Sequence, residues 1–216
     1  MDSLIQTITV YAIPVLFGIT LHEAAHGYVA RMFGDRTAWD AGRVSLNPVR
    51  HVDPIGTIVV PLVLLISTKM MGGAGMLFGW AKPVPVDWSR LRKPKRDMLW
   101  VALAGPASNL VMGVLWVIGL RLLLESGAAQ DGFWVRMAIA GVQVNLILMA
   151  LNLFPLPPLD GGRIVYSLLP ARMAEQYARV EPYGMIILIV LMLSGLLWTL
   201  LMPFLVFGQS ILFWFL

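Results

Sequence analysis

The stretch Thr20-Leu21-His22-Glu23-Ala24-Ala25-His26-Gly27 follows directly on an apolar run, residues 4–21, that carries no charge. If residues 4–33 form mostly one helix, His22 and His26 stand four positions apart and lie on one face, one turn from each other. Two imidazoles in that arrangement can share a zinc ion. Ionisable side chains at the end of an apolar run are costly unless they have partners and a purpose. The stretch therefore predicts a metal site inside a membrane-spanning helix.

Glu23 flanks this predicted metal site and is the candidate general base for an activated water. Ala24, Ala25 and Gly27 are small enough to let another backbone approach the helix closely, which a buried site requires. The alternative is a helix end at the membrane surface, where two histidines simply meet water. A histidine six residues further on, as in some soluble zinc proteases, is absent because that position is Met32. The third ligand must come from elsewhere in the chain.

The composition sets the class of protein. Charged residues make up only 13% of the 216 residues and hydrophobic residues 58%, whereas ordinary soluble domains are about one quarter charged. This predicts an integral membrane protein whose length is mostly taken up by spans and short connections. The absence of cysteine excludes thiolate metal ligands, disulfides and cysteine nucleophiles. The net charge of +4 indicates orientation in a lipid bilayer and not nucleic-acid binding.

The apolar runs and their breaks predict an all-α polytopic membrane protein, a bundle of about five to six transmembrane or re-entrant helices. The predicted spans are residues 4–33 with a kink at Pro14, 98–124, 133–154 and 183–202, the last followed by a break at Pro203 and an apolar tail. Residues 55–71 are short for a span and are expected to be tilted or re-entrant. A small β-hairpin or extended edge segment is also expected. Residues 43–46 could form a short strand within a segment that is either a loop or a β-hairpin, and the alternating prolines of residues 80–86 suit an extended edge.

Lys and Arg concentrate in residues 31–50, 82–96 and 163–179. Since basic loops favour the cytoplasmic side of a membrane, we expect the N-terminus outside and these loops in the cytoplasm. This orientation requires that residues 55–71 do not cross the membrane completely.

The candidates for the third ligand are His51, Asp40, Asp53 and Asp160. His51 lies in a polar loop, which favours a solvated or ion-paired histidine. Asp160 follows an apolar span in a proline-interrupted stretch, where irregular backbone is tolerated only if it is buried in protein or lines a wet cavity. Gly161 and Gly162 allow a tight turn that can aim its carboxylate. On the residues alone, a metal-ligand role and a helix-capping role for Asp160 are equally favoured.

Three ordered motifs resemble the signatures of the site-2 protease family of intramembrane zinc metalloproteases. They are His22-Glu23-Ala24-Ala25-His26, Gly105-Pro106-Ala107-Ser108-Asn109 and Asn152-Leu153-Phe154-Pro155-Leu156-Pro157-Pro158-Leu159-Asp160-Gly161. The resemblance implies that His22, His26 and Asp160 hold one Zn²⁺ ion and that Glu23 is the catalytic acid/base acting on a zinc-activated water. It covers a catalytic core of about residues 10–165 within a single domain, 1–216, whose C-terminal helices occupy 183–216. The chain resembles a compact member of the family without room for PDZ or CBS domains.

The resemblance also implies hydrolysis of peptide bonds in or near transmembrane segments, known as regulated intramembrane proteolysis. The expected partners are a transmembrane protein or peptide substrate and the lipid bilayer, with no nucleic acid, and the expected location is the bacterial cytoplasmic (inner) membrane. The candidate substrate-binding residues are Asn152, Pro155, Asn109, Val84 and Val86. The rival hypothesis is a divalent-metal transporter, which requires a continuous polar path and an internal repeat. The spans offer mainly Asn109, Gln143 and Asn145 for such a path, and no repeat is visible.

Overall fold

The computed structural model describes residues 4–59, 63 and 82–215. Its α-helices are α1 (Leu4–Met32), α2 (Thr37–Asp40), α3 (Pro94–Glu125), α4 (Phe133–Leu153), α5 (Asp160–Leu168), α6 (Ala171–Ala178), α7 (Glu181–Leu193) and α8 (Leu196–Leu212). Short 3₁₀ turns occupy Pro48–Arg50, Trp88–Arg90 and Phe213–Phe215, and a π-helical turn occupies Pro54–Val59. Four of the described helices are long and apolar enough to cross a membrane, or five if α6 and α7, bent by 60°, form one broken span. The all-α, multi-pass fold is confirmed.

The centre of the bundle is formed by α1, α3 and α4, which pack against one another. Glycines let these helices approach closely, as membrane helices require. A Cβ atom on Gly141 of α4 would lie 2.2 Å from the ring of Trp116 on α3. On α1, a Cβ atom at Gly18 would lie 3.1 Å from Leu148 of α4. The small residues therefore bring the three helices that carry the family-like motifs into direct contact.

The remaining helices lie around this centre. The short helix α5 packs chiefly on α3, and α8 packs on α4 and α7. A buried apolar cluster joins α3, α4 and α8 through Val117, Met149 and Leu212. Through these contacts the bundle supports the end of α4 and the turn that leads into α5, which positions Asp160.

Two expectations for local structure are wrong. None of the described residues lies in a β-strand, and residues 43–45 are irregular. Their polar groups bond locally instead, since Gly42 turns with a φ of 64°, Arg43 N–H donates to the Ala38 carbonyl and the Ser45 carbonyl lies 2.8 Å from the His51 ring. The small β-hairpin is therefore unsupported.

The predicted break at Pro203 is also wrong. Pro203 lies inside α8, and the chain breaks instead at Gly195, whose φ of 76° is readily adopted only by glycine. Proline is tolerated within apolar membrane helices because neighbouring groups satisfy the freed carbonyl. The expected re-entrant segment 55–71 lies mostly outside the described residues. The domain bounds and the membrane orientation stay predictions.

Candidate metal centre

The helix α1 places His22 and His26 on one buried face. Their side chains are four positions apart, and the two Nε2 atoms lie 3.1 Å from each other. His22 is 7% exposed and His26 is 9% exposed, so neither is a histidine that simply meets water. The expectation that both imidazoles share one face of a helix is met.

Asp160 reaches the same point from the far end of the sequence. It is the first residue of α5, and its Oδ2 atom lies 3.1 Å from Nε2 of His22 and 3.3 Å from Nε2 of His26. The turn before it is tightly packed: a Cβ atom on Gly161 would lie 2.3 Å from the Leu153 carbonyl oxygen. Glycine is therefore required for the chain to fold back and aim the carboxylate.

The outer ring nitrogens determine where the protons of the two histidines lie. Nδ1 of His26 is 2.7 Å from the backbone carbonyl oxygen of Val101, and this oxygen can only accept a hydrogen bond. Nδ1 of His22 is 2.7 Å from Oδ1 of Asn109. The amide nitrogen of Asn109 faces two acceptors, the Gly18 carbonyl and Oδ1 of Asn145, each at 3.1 Å. That environment fixes the orientation of the amide, so its oxygen faces His22.

Each Nδ1 therefore carries a proton, so that in the neutral form of either imidazole the Nε2 lone pair points toward Asp160. Three electron-pair donors, the two Nε2 atoms and a carboxylate oxygen, lie within 4.8 Å of one another. The buried Oδ2 atom of Asp160 has no hydrogen-bond partner among the residues that the structure describes. Such a set is repulsive unless a cation lies between its members. Two histidines and one carboxylate are the protein ligands of many catalytic zinc sites, so the donor set fits zinc.

Gly105 on α3 forms the wall behind the imidazoles. A Cβ atom at this position would lie 2.4 Å from Nε2 of His26 and 2.6 Å from Nε2 of His22. The motif residues Gly105 and Asn109 are one helical turn apart and therefore lie on the same face of α3. Gly105 leaves room for the imidazole rings, and Asn109 accepts a hydrogen bond from His22. These roles in positioning the ligands were not predicted from the sequence.

Glu23 is held by the segment that precedes α3. Its Oε2 atom accepts a 2.8 Å hydrogen bond from the backbone N–H of Val84. Three residues further along, the N–H of Asp87 donates to Oδ2 of the buried Asp35 over 2.8 Å. Hydrogen bonds from Ser89 hold the pKa of Asp87 below its usual value, because they favour the ionised carboxylate. Asp35 thus anchors the segment that contacts Glu23.

The other candidate residues make contacts with groups outside the donor set. Asn152 donates its amide to the Leu148 carbonyl of its own helix, and the Pro155 carbonyl accepts from Tyr177. Val86 packs in the apolar cluster around Ala30 and Val101. The other candidates for the third ligand, His51, Asp40 and Asp53, are outside the His22–His26–Asp160 group found in the described part of the chain.

The polar residues that were considered for a transport path form hydrogen bonds with neighbouring side chains. Asn109 and Asn145 are fully buried and bond to each other. Gln143 accepts a hydrogen bond from Tyr11 at an exposed position. The two asparagines support the metal centre instead of extending a path away from it.

The fold and the donor set define a multi-pass helical membrane protein with a candidate histidine–carboxylate metal centre. A family model described as Peptidase family M50 matches residues 117–195. The chain is 37% identical to YwhC of Bacillus subtilis, provisionally named as a zinc metalloprotease, over 85% of this chain and 80% of YwhC. The chain therefore belongs to Peptidase family M50, the site-2 protease family, and is a metalloprotease.

More distant relatives carry the same provisional name. Rip2 of Mycolicibacterium smegmatis is 30% identical over 83% of this chain, which spans 64% of Rip2. MJ0611 of Methanocaldococcus jannaschii is 27% identical over 68% of the chain and 64% of its own length. No solved structure matched the chain significantly.

Proposed function

We propose that this chain is an intramembrane zinc metalloprotease that hydrolyses peptide bonds in or near transmembrane segments of other membrane proteins. The observation that carries the proposal is the convergence of three lone-pair donors from His22, His26 and Asp160 within a bundle of membrane-spanning helices. A polar cluster at such a place is costly and is retained for function. One zinc ion is the proposed occupant.

In the proposed reaction, Nε2 of His22, Nε2 of His26 and Asp160 hold the metal. A bound zinc ion supplies Lewis acidity toward the scissile carbonyl and lowers the pKa of water. Glu23, next to His22 on the same helix, accepts the proton of the attacking water and passes it to the leaving amine. The N–H of Val84 holds one carboxylate oxygen of Glu23 and so limits the positions that the base can take.

An apolar groove of about 930 Å³ lies between α1 and α3, and we propose it as the path of the substrate. The α1 side of the groove contains Leu21, Ala24 and Ala25, the residues that flank His22 and Glu23 in the sequence. The α3 side contains Val111 and Leu115, both more than half exposed. An apolar stretch of a transmembrane substrate fits this lining, and the small alanines leave room for its backbone.

A helical substrate hides its carbonyl groups in internal hydrogen bonds, so the cleaved stretch must first be unwound. We propose that the unwound stretch pairs with residues 84–86, where Pro85 prevents a regular helix. Since the N–H of Val84 already donates to Glu23, a substrate paired there lies beside the proposed base.

The test compares purified wild-type protein with Glu23→Gln in cleavage of a membrane-embedded peptide. We expect Glu23→Gln to bind zinc like the wild type and to lose about 10²–10⁴-fold in rate, the contribution of a positioned general base. Glu175→Gln, which changes an exposed glutamate of α6, is the matched control and should cleave normally. Full activity of Glu23→Gln would exclude this base.

Zinc binding tests the ligand set independently of cleavage. Asp160→Ala should weaken zinc binding, and wild-type affinity in this variant would remove Asp160 from the set. Comparison of membrane-protein fragments between cells with the wild type and cells with Glu23→Gln would identify the natural substrates.

A further inference from the structure

A polar pocket, separate from the apolar groove, lies mainly in the loop that follows α1. It has a volume of about 610 Å³, and Arg43, Arg50, Lys82 and Asp40 contribute its charged lining. Asp40 pairs with Arg36 at 3.5 Å. In the part of the chain that the structure describes, no carboxylate forms an ion pair with any of the three pocket cations. The pocket is therefore strongly positive.

The guanidinium of Arg43 has unused hydrogen-bonding capacity. Its Nη2 atom donates to the Lys82 carbonyl over 3.0 Å, whereas its buried Nε atom has no partner among the described residues. An unpaired buried donor on a charged group is costly, and an anionic oxygen is the acceptor that would satisfy it. Guanidinium groups suit phosphate because their donors match its oxygens in a fixed geometry.

The surroundings favour a phosphate carried by a lipid. Most of the pocket residues lie at positions 40–52, soon after Met32, the last residue of the first candidate span. We infer that the pocket lies near the point where the chain leaves the membrane. Val49 lines the pocket and is 77% exposed, and the nearby Leu46 is 65% exposed. Cations beside exposed apolar side chains match a phosphodiester headgroup with its acyl chains.

We propose that this pocket binds the phosphate headgroup of an anionic membrane phospholipid. The occupied site also bears on Glu23, because Arg43 donates to the carbonyl of Lys82 and the N–H of Val84, two residues on, donates to Glu23. A headgroup on Arg43 and Lys82 holds this segment in place. The binding site itself does not depend on the proposed function. The effect on Glu23, in contrast, rests on the proposed protease function.

Binding is measured on the full chain carrying Glu23→Gln, so that proteolysis is not needed for the readout. Native mass spectrometry with short-chain phosphatidylglycerol should show a complex at least about tenfold tighter than with short-chain phosphatidylcholine. Arg50→Gln should weaken phosphatidylglycerol binding about tenfold, and Arg50→Lys should restore part of it because the charge returns. Arg172→Gln, which removes an exposed arginine of α6, should bind like the parent.

Equal phosphatidylglycerol binding by the parent and by Arg50→Gln would overturn the proposal. Inorganic phosphate is the second ligand tested. If it binds as tightly as phosphatidylglycerol, the pocket is a site for a soluble anion and the lipid assignment is overturned. In protein that keeps Glu23, phosphatidylglycerol should raise the cleavage rate of the wild type and not of Arg50→Gln. A protein that binds the lipid but cleaves nothing contradicts the proposed protease function and leaves the binding site supported.

Discussion

The side-chain oxygen of Asn109 lies 2.7 Å from Nδ1 of His22 and joins the second sequence motif to the first. The bond crosses from α3 to α1, and the other end of the same amide donates to Gly18 and Asn145. Asn109 therefore sets both the ring orientation and the tautomer of a proposed zinc ligand. Groups that orient a metal-bound histidine in this way typically contribute 10–100-fold in metal affinity or activity.

Asn109→Leu should therefore weaken zinc binding by about 10–100-fold, measured by competition with a chelating dye. Asn152→Leu is the matched control, because Asn152 bonds only to the Leu148 carbonyl in its own helix among the described contacts. It should bind zinc normally. Wild-type zinc affinity in Asn109→Leu would show that His22 is oriented without this amide.

Gly105→Ala should weaken zinc binding. The new Cβ atom would lie 2.4 Å from Nε2 of His26 and 2.6 Å from Nε2 of His22, so a ring or the helix must move. We expect a loss of at least about tenfold in zinc affinity, equal to about 1.4 kcal/mol, together with loss of cleavage.

Gly119→Ala is the control on the same helix, since no atom lies within 4 Å of its Cβ position. In the interior of α3 this change should be neutral or should stabilise by up to about 1 kcal/mol. Thermal unfolding in detergent separates the two variants. If Gly105→Ala and Gly119→Ala bind zinc equally well, the proposed contact between Gly105 and the rings is wrong.

The backbone N–H of Val84 allows the role of Glu23 to be tested without changing the Glu23 carboxylate itself. Val84→Pro removes the N–H that bonds to Glu23, whereas Val84→Ala keeps it and shortens only the side chain. We expect Val84→Pro to lower kcat about tenfold or more, because a hydrogen bond to a charged group is worth about 1.5–3 kcal/mol. Zinc content should not change. Equal kcat values for Val84→Pro and Val84→Ala would exclude a positioning role for this hydrogen bond.

The features that depend on a local sequence pattern were predicted well from the sequence. Apolar runs located α1, α3 and α4 to within a few residues, because a membrane span must be both apolar and about 20 residues long. The four-residue spacing of His22 and His26 placed both rings on one face, because helix geometry fixes that relation. The approach of Asp160 to these rings required the family resemblance, since on local evidence a helix cap was equally favoured.

Features that depend on tertiary contacts were missed or mispredicted. The contact between Gly105 and the imidazoles cannot be read from spacing, because it depends on how α3 packs on α1. The helix break was expected at Pro203 and occurs at Gly195, since an apolar helix tolerates proline and the left-handed turn requires glycine. The expected strand at residues 43–46 did not form, because a local backbone hydrogen bond from Arg43 to Ala38 and a contact from the His51 ring to the Ser45 carbonyl take the place of strand pairing.

The groove between α1 and α3 gives a final prediction about substrate access. Ala25 lines the groove two residues after Glu23, and Ala25→Leu would fill part of the space proposed for the substrate backbone. We expect this variant to keep zinc and to lower kcat/KM for a membrane peptide about tenfold, with a smaller loss for a short soluble peptide. Ala12→Leu, which makes the same change on α1 outside the groove lining, is the matched control. A change in kcat/KM that is equal in both variants would show that added bulk on α1 acts on the fold and not on substrate entry, and the groove would then lose its assignment as the substrate path.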